Sequence, residues 1–414
     1  MSWLSRSRAL AAVLAAAVTV PLVTDAVLTA PVAASAPRTS LLIWGVDRDN
    51  NLGPLAGTGN ATLPVPFPIP AGMVRSGQFG CFDGYVLTRA GRILAWGDNG
   101  SGQLGAGLDN PDPTATPEPV LLPAGARAVS VRAGCNHAVA LLSTGRVVAW
   151  GLNQDGEVGG SDSAQFSPVR VALPGNLRFA AVCAGFDFSL ALSTGGRVYA
   201  WGDNTDGQSG DGTHVLQNPV PVPVKIPSRT HVTAIACGWR HALALTSAGR
   251  VLAWGLGEQG ALGAAHPGKS RVPVPVQLPA KVHIRALFAG ERTSMALSTT
   301  GQVWTWGDNG SGQLGNGSTA DHSRRPMLAR LPAGTKVRKI AASRQTDLVL
   351  TTRGTILTWG ANFQGQLGTG RVSVRSRVPV AVHLPAGQAA LSVFAGSNAD
   401  DILAVTRSRR WPGA

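Results

Sequence analysis

Few residues in this chain are of types that do covalent or metal chemistry. Four cysteines, Cys81, Cys135, Cys183 and Cys237, are spread from the first quarter of the chain to just past its middle. An even number in a chain bound for an oxidising compartment permits two disulfides in three connectivities, and no Cys-x-x-Cys or Cys/His cluster points to a metal. His137 and His241 recur in one setting, Gly-Cys-Asn-His and Gly-Trp-Arg-His. Elsewhere the same setting holds Asp83, Phe188, Thr293, Gln345 or Ala399, so a ring of metal ligands is not expected. The two histidines read instead as structural, each bonding a neighbouring backbone group. There is no Gly-x-Ser-x-Gly elbow, no His-Glu-x-x-His and no phosphate loop, and the acids share no recurring spacing. The chain reads as a non-enzyme without metal or cofactor, an active site gathered from distant loops being the alternative.

The elements that carry these residues declare themselves by repetition. Trp-Gly occurs at Trp44, Trp96, Trp150, Trp201, Trp254, Trp306 and Trp359, with gaps of 51 to 54 residues. All but the first close a run such as Gly-Arg-Val-Val-Ala-Trp-Gly at 145–151, and a Gly-rich stretch follows. Upstream stands a Gly between two apolar strands, at Gly80, Gly134, Gly185, Gly238, Gly290 and Gly396, with Ala342 in its place once. Further upstream is a Pro-rich strand such as Pro273-Val274-Pro275-Val276. A repeat of this length fits about four strands of five to six residues with their turns. Prolines cannot donate a full ladder, so that strand belongs at the outer edge, and the apolar pair lies inside between neighbouring sheets. The expected fold is all-β: a seven-bladed β-propeller of four-stranded antiparallel blades over 37–406. Trp44 has no Gly element before it and Gly396 has no Trp-Gly after it, so the N- and C-terminal strands complete one blade and close the ring.

The pattern Ala-Gly-x-x-His-x-x-Ala-Leu, Gly-Arg-Val-x-x-Trp-Gly, Asn-x-x-Gly-Gln-Leu-Gly resembles the repeats of the regulator of chromosome condensation family, from Leu41 to Val405. The resemblance implies a seven-bladed propeller. It also implies function by face-on protein binding, as in exported inhibitory members, or guanine-nucleotide exchange, as in the founding member. An export signal argues against exchange, and no wedge-like hairpin is inserted between blades. The chain is identified as an exported bacterial-type member.

Strand alternation puts the Gly-element turns and the loops after Trp-Gly on one face, and the Gly-Arg and Leu-Pro turns on the other. On the first face the turn tips vary on a constant frame, which is how scaffolds present binding groups. Phe82, Phe186, Trp239, Arg240, Arg292 and Arg344 are the contact candidates, being the aromatic and Arg tips. On the second face Arg92, Arg146, Arg197 and Arg250 recur at one turn, broken by Gln302 and Thr355. A basic sector lies late in the chain: Arg324, Arg325, Arg330, Lys336, Arg338, Lys339, Arg371, Arg375 and Arg377. The cysteines sit within two residues of the element Gly in four consecutive blades, which suggests the pairs Cys81–Cys135 and Cys183–Cys237. Asp-Asn-Gly-Ser-Gly at 98–102 and 308–312 lacks the acids of a calcium loop and reads as an Asx turn. Asn99, Asn309 and Asn316 in Asn-Gly-Ser triplets follow from the repeat.

Arg6 and Arg8 precede an apolar run from Ala9 to Val23, with small residues at Val32-Ala33-Ala34 and Ala34-Ser35-Ala36. This reads as a signal peptide over 1–36, cleaved, with an uncleaved anchor as the alternative; 407–414 is a short basic tail. The net charge of +14 favours anionic partners. The sequence therefore points to a secreted or cell-surface, monomeric binding scaffold for a protein or glycan. The alternatives are a binder of anionic polymers, a cell-wall polyanion or nucleic acid, and an enzyme with an unrecognised site.

Overall fold

A computed structural model describes residues 39–408 apart from 48–50, 54–58, 108–111, 161–162, 176 and 265–267. The expected leader over 1–36 and most of the basic tail lie outside the described residues.

Seven antiparallel sheets of four strands form the ring. One blade illustrates all. From axis to rim its strands are Val232–Cys237, His241–Thr246, Val251–Leu256 and Lys269–Pro275. The second strand, His-Ala-Leu-Ala-Leu-Thr, is buried at every residue because both its faces meet neighbouring sheets. The innermost strand is only half buried along Ala234–Ala236, since one face lines the axial channel. The pair around the Gly is thus not equally enclosed: the small residues before the Gly pack on neighbouring sheets and also border the channel. Pro273 and Pro275 stand on the rim strand, where a missing N–H leaves no neighbour unpaired.

Each Trp of a Trp-Gly pair is fully buried. Its indole N–H donates to a carbonyl in the loop of the adjoining blade: Trp96 to Asn51, Trp150 to Gln103, Trp201 to Glu157, Trp254 to Gln208, Trp306 to Ala261, Trp359 to Gln313 and Trp44 to Gln366, at 2.6–3.1 Å. The Trp therefore fills the space between blades and satisfies its one donor there. The Gly after it has positive φ, +93° at Gly255, and a Cβ there would stand 2.4 Å from the Arg240 carbonyl.

The ring closes as the repeat phase predicts. Gln388–Ala395 and Ile402–Ser408 supply two strands of the last blade, and Thr39–Gly45 and Ala61–Pro66 supply the other two. Leu41 pairs with Val405 and Trp44 with Ile402. Both expected disulfides form between adjacent blades, Cys81–Cys135 with Cα atoms 4.6 Å apart and Cys183–Cys237 at 5.7 Å. Such bonds persist in oxidising compartments.

Candidate functional site

The Gly-element turns are tied blade to blade before any side chain is considered. The N–H of Cys81 donates to Cys135 O, Cys135 to Phe186 O, Phe186 to Trp239 O, Trp239 to Glu291 O, Glu291 to Arg344 O and Arg344 to Ala399 O, at 2.6–3.3 Å. This chain of bonds corrects the sequence alignment of two blades. Ser343, not Ala342, holds the Gly position, because its N–H meets Thr346 O as the N–H of Gly238 meets His241 O. Arg344 is then the partner position of Trp239, and Thr346 rather than Gln345 that of His241, since Thr346 pairs with Gly360 as His241 pairs with Gly255. The closing blade has two extra turn residues, so Asp401, not Ala399, takes the position packed on Gly45.

The glycine itself answers to that third residue. A Cβ on Gly238 would lie 2.3 Å from the His241 ring, and one on Gly185 1.9 Å from Phe188. Thr346 goes with Ser343, whereas Thr293 keeps Gly290, where a Cβ would lie 2.6 Å from Thr293 Oγ1. The histidines are structural; His241 has the expected backbone bond, at Thr293, and both rings also meet a side chain. Nε2 of His137 and His241 lies 2.9 Å from the hydroxyls of Ser189 and Ser294 in the next blade, and these donate to the Glu157 and Ala261 carbonyls that also receive a Trp indole. The side-chain contact arises because the second strand is enclosed by its neighbour. Burial holds His137 down to about 3 and His241 to about 4, so both are neutral.

All six contact candidates line two recesses that share Trp239 and Glu291. Phe82, Phe186, Trp239 and Arg344 border one of about 290 Å³; Trp239, Arg240 and Arg292 border one of about 390 Å³. Phe186 and Trp239 rings stand 4.9 Å apart, tilted by 45°. The guanidinium carbons of Arg292 and Arg344 lie 5.6 and 5.8 Å from the Trp239 ring. Glu291 holds both: Arg344 Nε is 3.1 Å and Arg292 Nε 3.8 Å from its carboxylate. Arg240 meets Asp206 at 3.1 Å, and Lys269 meets the same carboxylate at 3.7 Å. Trp239 Nε1 is buried without an acceptor. Asn398, in the extended turn of the closing blade, reaches over the axis to the Gly185 carbonyl at 3.3 Å. Sequence reasoning passes over Glu291, Asp206 and Asn398; the one signal for Glu291 is a lone acid among Arg-bearing tips.

The same face carries an acidic group. Asp187 and Glu157 are each pushed up to about 7, burial being the main cause in both and the repulsion of Glu157, Asp155 and Asp203 the next for Asp187. The Asx turns form as expected. Asp98 Oδ1 accepts from Gly100 N and Asp98 Oδ2 from Gln103 Nε2, and the 308–313 copy matches. Asn99 and Asn309 are buried and accept from Leu104 and Leu314 N–H, so these Asn-Gly-Ser triplets serve the turn.

The late basic sector does not form one surface. Arg324, Arg325, Arg375 and Arg377 lie on rim strands, and Arg371 in a loop of the Gly-turn face. Arg330 and Lys336 lie on the opposite face, while Arg338 and Lys339 are on an innermost strand lining the channel. Consecutive residues of a strand point to opposite sides, so a run of cations is divided by the fold. Arg92, Arg146, Arg197 and Arg250, by contrast, share one face and are exposed. On that face the turns and inter-blade connections hold Arg or Lys in six of the seven blades and, among the described residues, no Asp or Glu. Among the described residues no group of three or more His, Cys, Asp and Glu is placed to hold a metal, and no helix is long and apolar enough to cross a membrane.

A closed ring of seven Trp-Gly blades, with variable tips on one face, defines a propeller of the chromosome-condensation-regulator class. The RCC1-like domain model matches residues 165–410, and models of the regulator of chromosome condensation (RCC1) repeat match 90–141 and 128–157. The chain belongs to the RCC1-like domain family. It is 31% identical over 375 residues to the E3 ubiquitin-protein ligase HERC2 of Homo sapiens, covering 87% of this chain and 8% of that one. It is 29% identical over 279 residues to the ultraviolet-B receptor UVR8 of Arabidopsis thaliana, covering 67% and 62%. The chain thus spans less than two thirds of either relative. Among solved structures, human WBSCR16 superposes with a TM-score of 0.79 at 22% identity, over 89% of this chain and 99% of that one. Prp20p of Saccharomyces cerevisiae, described with its binding to Gsp1p and histones, superposes at 0.78 and 24%, over 91% and 93%. At these identities the structures speak for the fold alone.

Proposed function

We propose that this chain is an exported, non-enzymatic scaffold that recognises a protein or glycan through its Gly-turn face. The observation that carries the reading is the cluster at Trp239: an aromatic pair, two Arg guanidinium groups over one ring, a carboxylate that orients them, and an indole N–H left without an acceptor. Aromatic and Arg side chains on a rigid frame, beside an unmet donor, are the makings of an interface centre. The leader-like N-terminus and the two inter-blade disulfides support export. The test immobilises the mature chain and its Trp239→Ala and Arg344→Ala variants against the producing organism's surface and culture proteins and glycans. A specific partner is expected for the wild type, with binding weakened at least tenfold in each variant. Equal capture by all three would overturn the reading.

The acid-free opposite face favours a second reading, an anionic polymer held by Arg92, Arg146, Arg197 and Arg250. Its mark is affinity falling steeply with salt. Retention on a heparin-type matrix that is unchanged when all four become Ser would dismiss it.

A further inference from the structure

The axial channel is lined by innermost strands of all seven blades and encloses about 350 Å³. Three cations stand in its wall, Arg132, Arg338 and Lys339, and no Asp or Glu is in the lining. The seven innermost strands contain no acid at all. Arg132 and Lys339 come from distant blades and meet only because the ring brings them around one axis. Arg132 spends a single hydrogen bond within the protein, Nη1 to the Val131 carbonyl at 3.1 Å. Lys339 Nζ donates to the Val393 carbonyl and lies 4.3 Å from the centre of the Phe394 ring. Burial, followed by the fields of Arg132 and Arg338, brings Lys339 down to about 8. Holding Arg132 and Lys339 part-buried near each other, with Arg338 at the exposed edge, is unfavourable unless something of opposite sign offsets them. No carboxylate in the channel wall does so.

We propose that the channel is a binding site for a small phosphorylated anion, the phosphoryl group held by Arg132 and Lys339 with Arg338 beside it. Arg presents a planar fork that matches a phosphoryl group, and Lys adds a compact charge. The rest of the wall is largely apolar, with Ile235, Leu287, Phe288 and Phe394, so the ligand carries a compact body besides its phosphate. The volume falls at the small end of the usual range for small-molecule sites, roughly 300–1,000 Å³, which suits a monoester rather than a polymer. Entry is from the Arg-turn face. Asn398 crosses the other mouth, and the acid-free face draws anions toward the open end.

The experiment follows thermal unfolding of the full chain in rising pyrophosphate and in rising glycerol phosphate, each against sodium chloride of matched ionic strength. The wild type is expected to gain melting temperature saturably with both phosphates and not with chloride. Lys339→Met and Arg132→Met are expected to raise the half-saturating concentration at least tenfold; should either fail to fold, Arg338→Gln at the exposed position is expected to raise it severalfold. A response equal to that of chloride, or one unchanged in these variants, overturns the proposal. So does protection that survives Lys339→Met but is lost when Arg92, Arg146, Arg197 and Arg250 become Ser, since that places the anion on the outer face. Protection by pyrophosphate alone overturns the place given to the ligand's compact body.

Discussion

Glu157 offers a sharp test of how the repeat frame sets energetics. Four of its counterparts are Gln103, Gln208, Gln313 and Gln366. In Gln103, Gln208 and Gln313 the amide nitrogen donates to an Asp at 2.6–2.9 Å, and the amide oxygen accepts a turn N–H. In this blade Leu152 stands where that Asp should be, and Glu157 takes the turn N–H of Asp155 with one oxygen while the other has no partner. Its side chain is fully buried, and its carboxyl is pushed from 4.5 up to about 7. Between those values the folded carboxyl keeps a proton that the unfolded chain has released. Stability from this group is therefore lost as pH climbs from about 4.5 to 7. Each tenfold difference in proton affinity between the folded and unfolded chain is worth about 1.4 kcal/mol, so the loss above pH 7 is about 3 kcal/mol. Glu157→Gln removes the titration while keeping the accepting oxygen. Chemical denaturation at pH 5, 6, 7 and 8 should show the variant gaining about 2 kcal/mol on the wild type between the ends of the series. Asp187, raised next after burial by Glu157, should titrate lower in the variant yet stay above the ordinary range. A wild type and variant with parallel pH profiles would refute the reasoning.

Three further outcomes follow from the frame. Replacing Cys81 and Cys135 together by Ser opens a 54-residue loop and should lower unfolding free energy by about 4 kcal/mol, read as a shift of the denaturation midpoint; reductant, which opens Cys183–Cys237 as well, should shift the wild type further than it shifts the variant. Gly238→Ser should cost about 2 kcal/mol, since its Cβ would lie 2.3 Å from the His241 ring and 2.6 Å from the Gly290 carbonyl; Gly238→Ser with His241→Thr relieves only the first clash and should recover part of the loss, and no recovery would show that the third residue has no share in dictating the glycine. Trp306→Phe should lose about 1–3 kcal/mol, because the Ala261 carbonyl keeps only the Ser294 hydroxyl, again measured by denaturation.

The ring is legible in the sequence because each blade must solve the same packing problem with the same residues. Trp-Gly fixes the third strand, and its phase locates both the closing joint at Trp44 and the cysteine pairs. The misreading of Ala342 shows the limit. Where Ser343 takes the Gly position the marker used for alignment disappears, although Thr293 in the preceding blade still goes with Gly290. The two extra residues before Asp401 escape notice for another reason: Gly396 keeps the marker, and the turn lengthens only after it. The channel cations are legible only as charge, since Arg132 and Lys339 are far apart in the chain. The division of Arg338 and Lys339 from Arg330 and Arg324 needs strand direction at every residue.

The two faces of this ring differ because the repeat places different demands on them. On the Gly-turn face the loops after Trp-Gly use Asp and Asn side chains to hold their own backbone, as Asp98, Asp203 and Asp308 do. Acids are therefore part of that face's construction, and an Arg there meets a carboxylate, as Arg240 meets Asp206 and Arg344 meets Glu291. The opposite face is built from tight turns in which Thr88, Ser193, Thr246, Ser298 and Thr351 hydroxyls accept the turn N–H. That construction needs no acid, and among the described residues its turns and inter-blade connections contain no Asp or Glu. Salt should consequently act unequally on the two sides: weakly on a partner gripped through Trp239, whose cations are already paired, and strongly on any anion approaching Arg92 or the channel mouth.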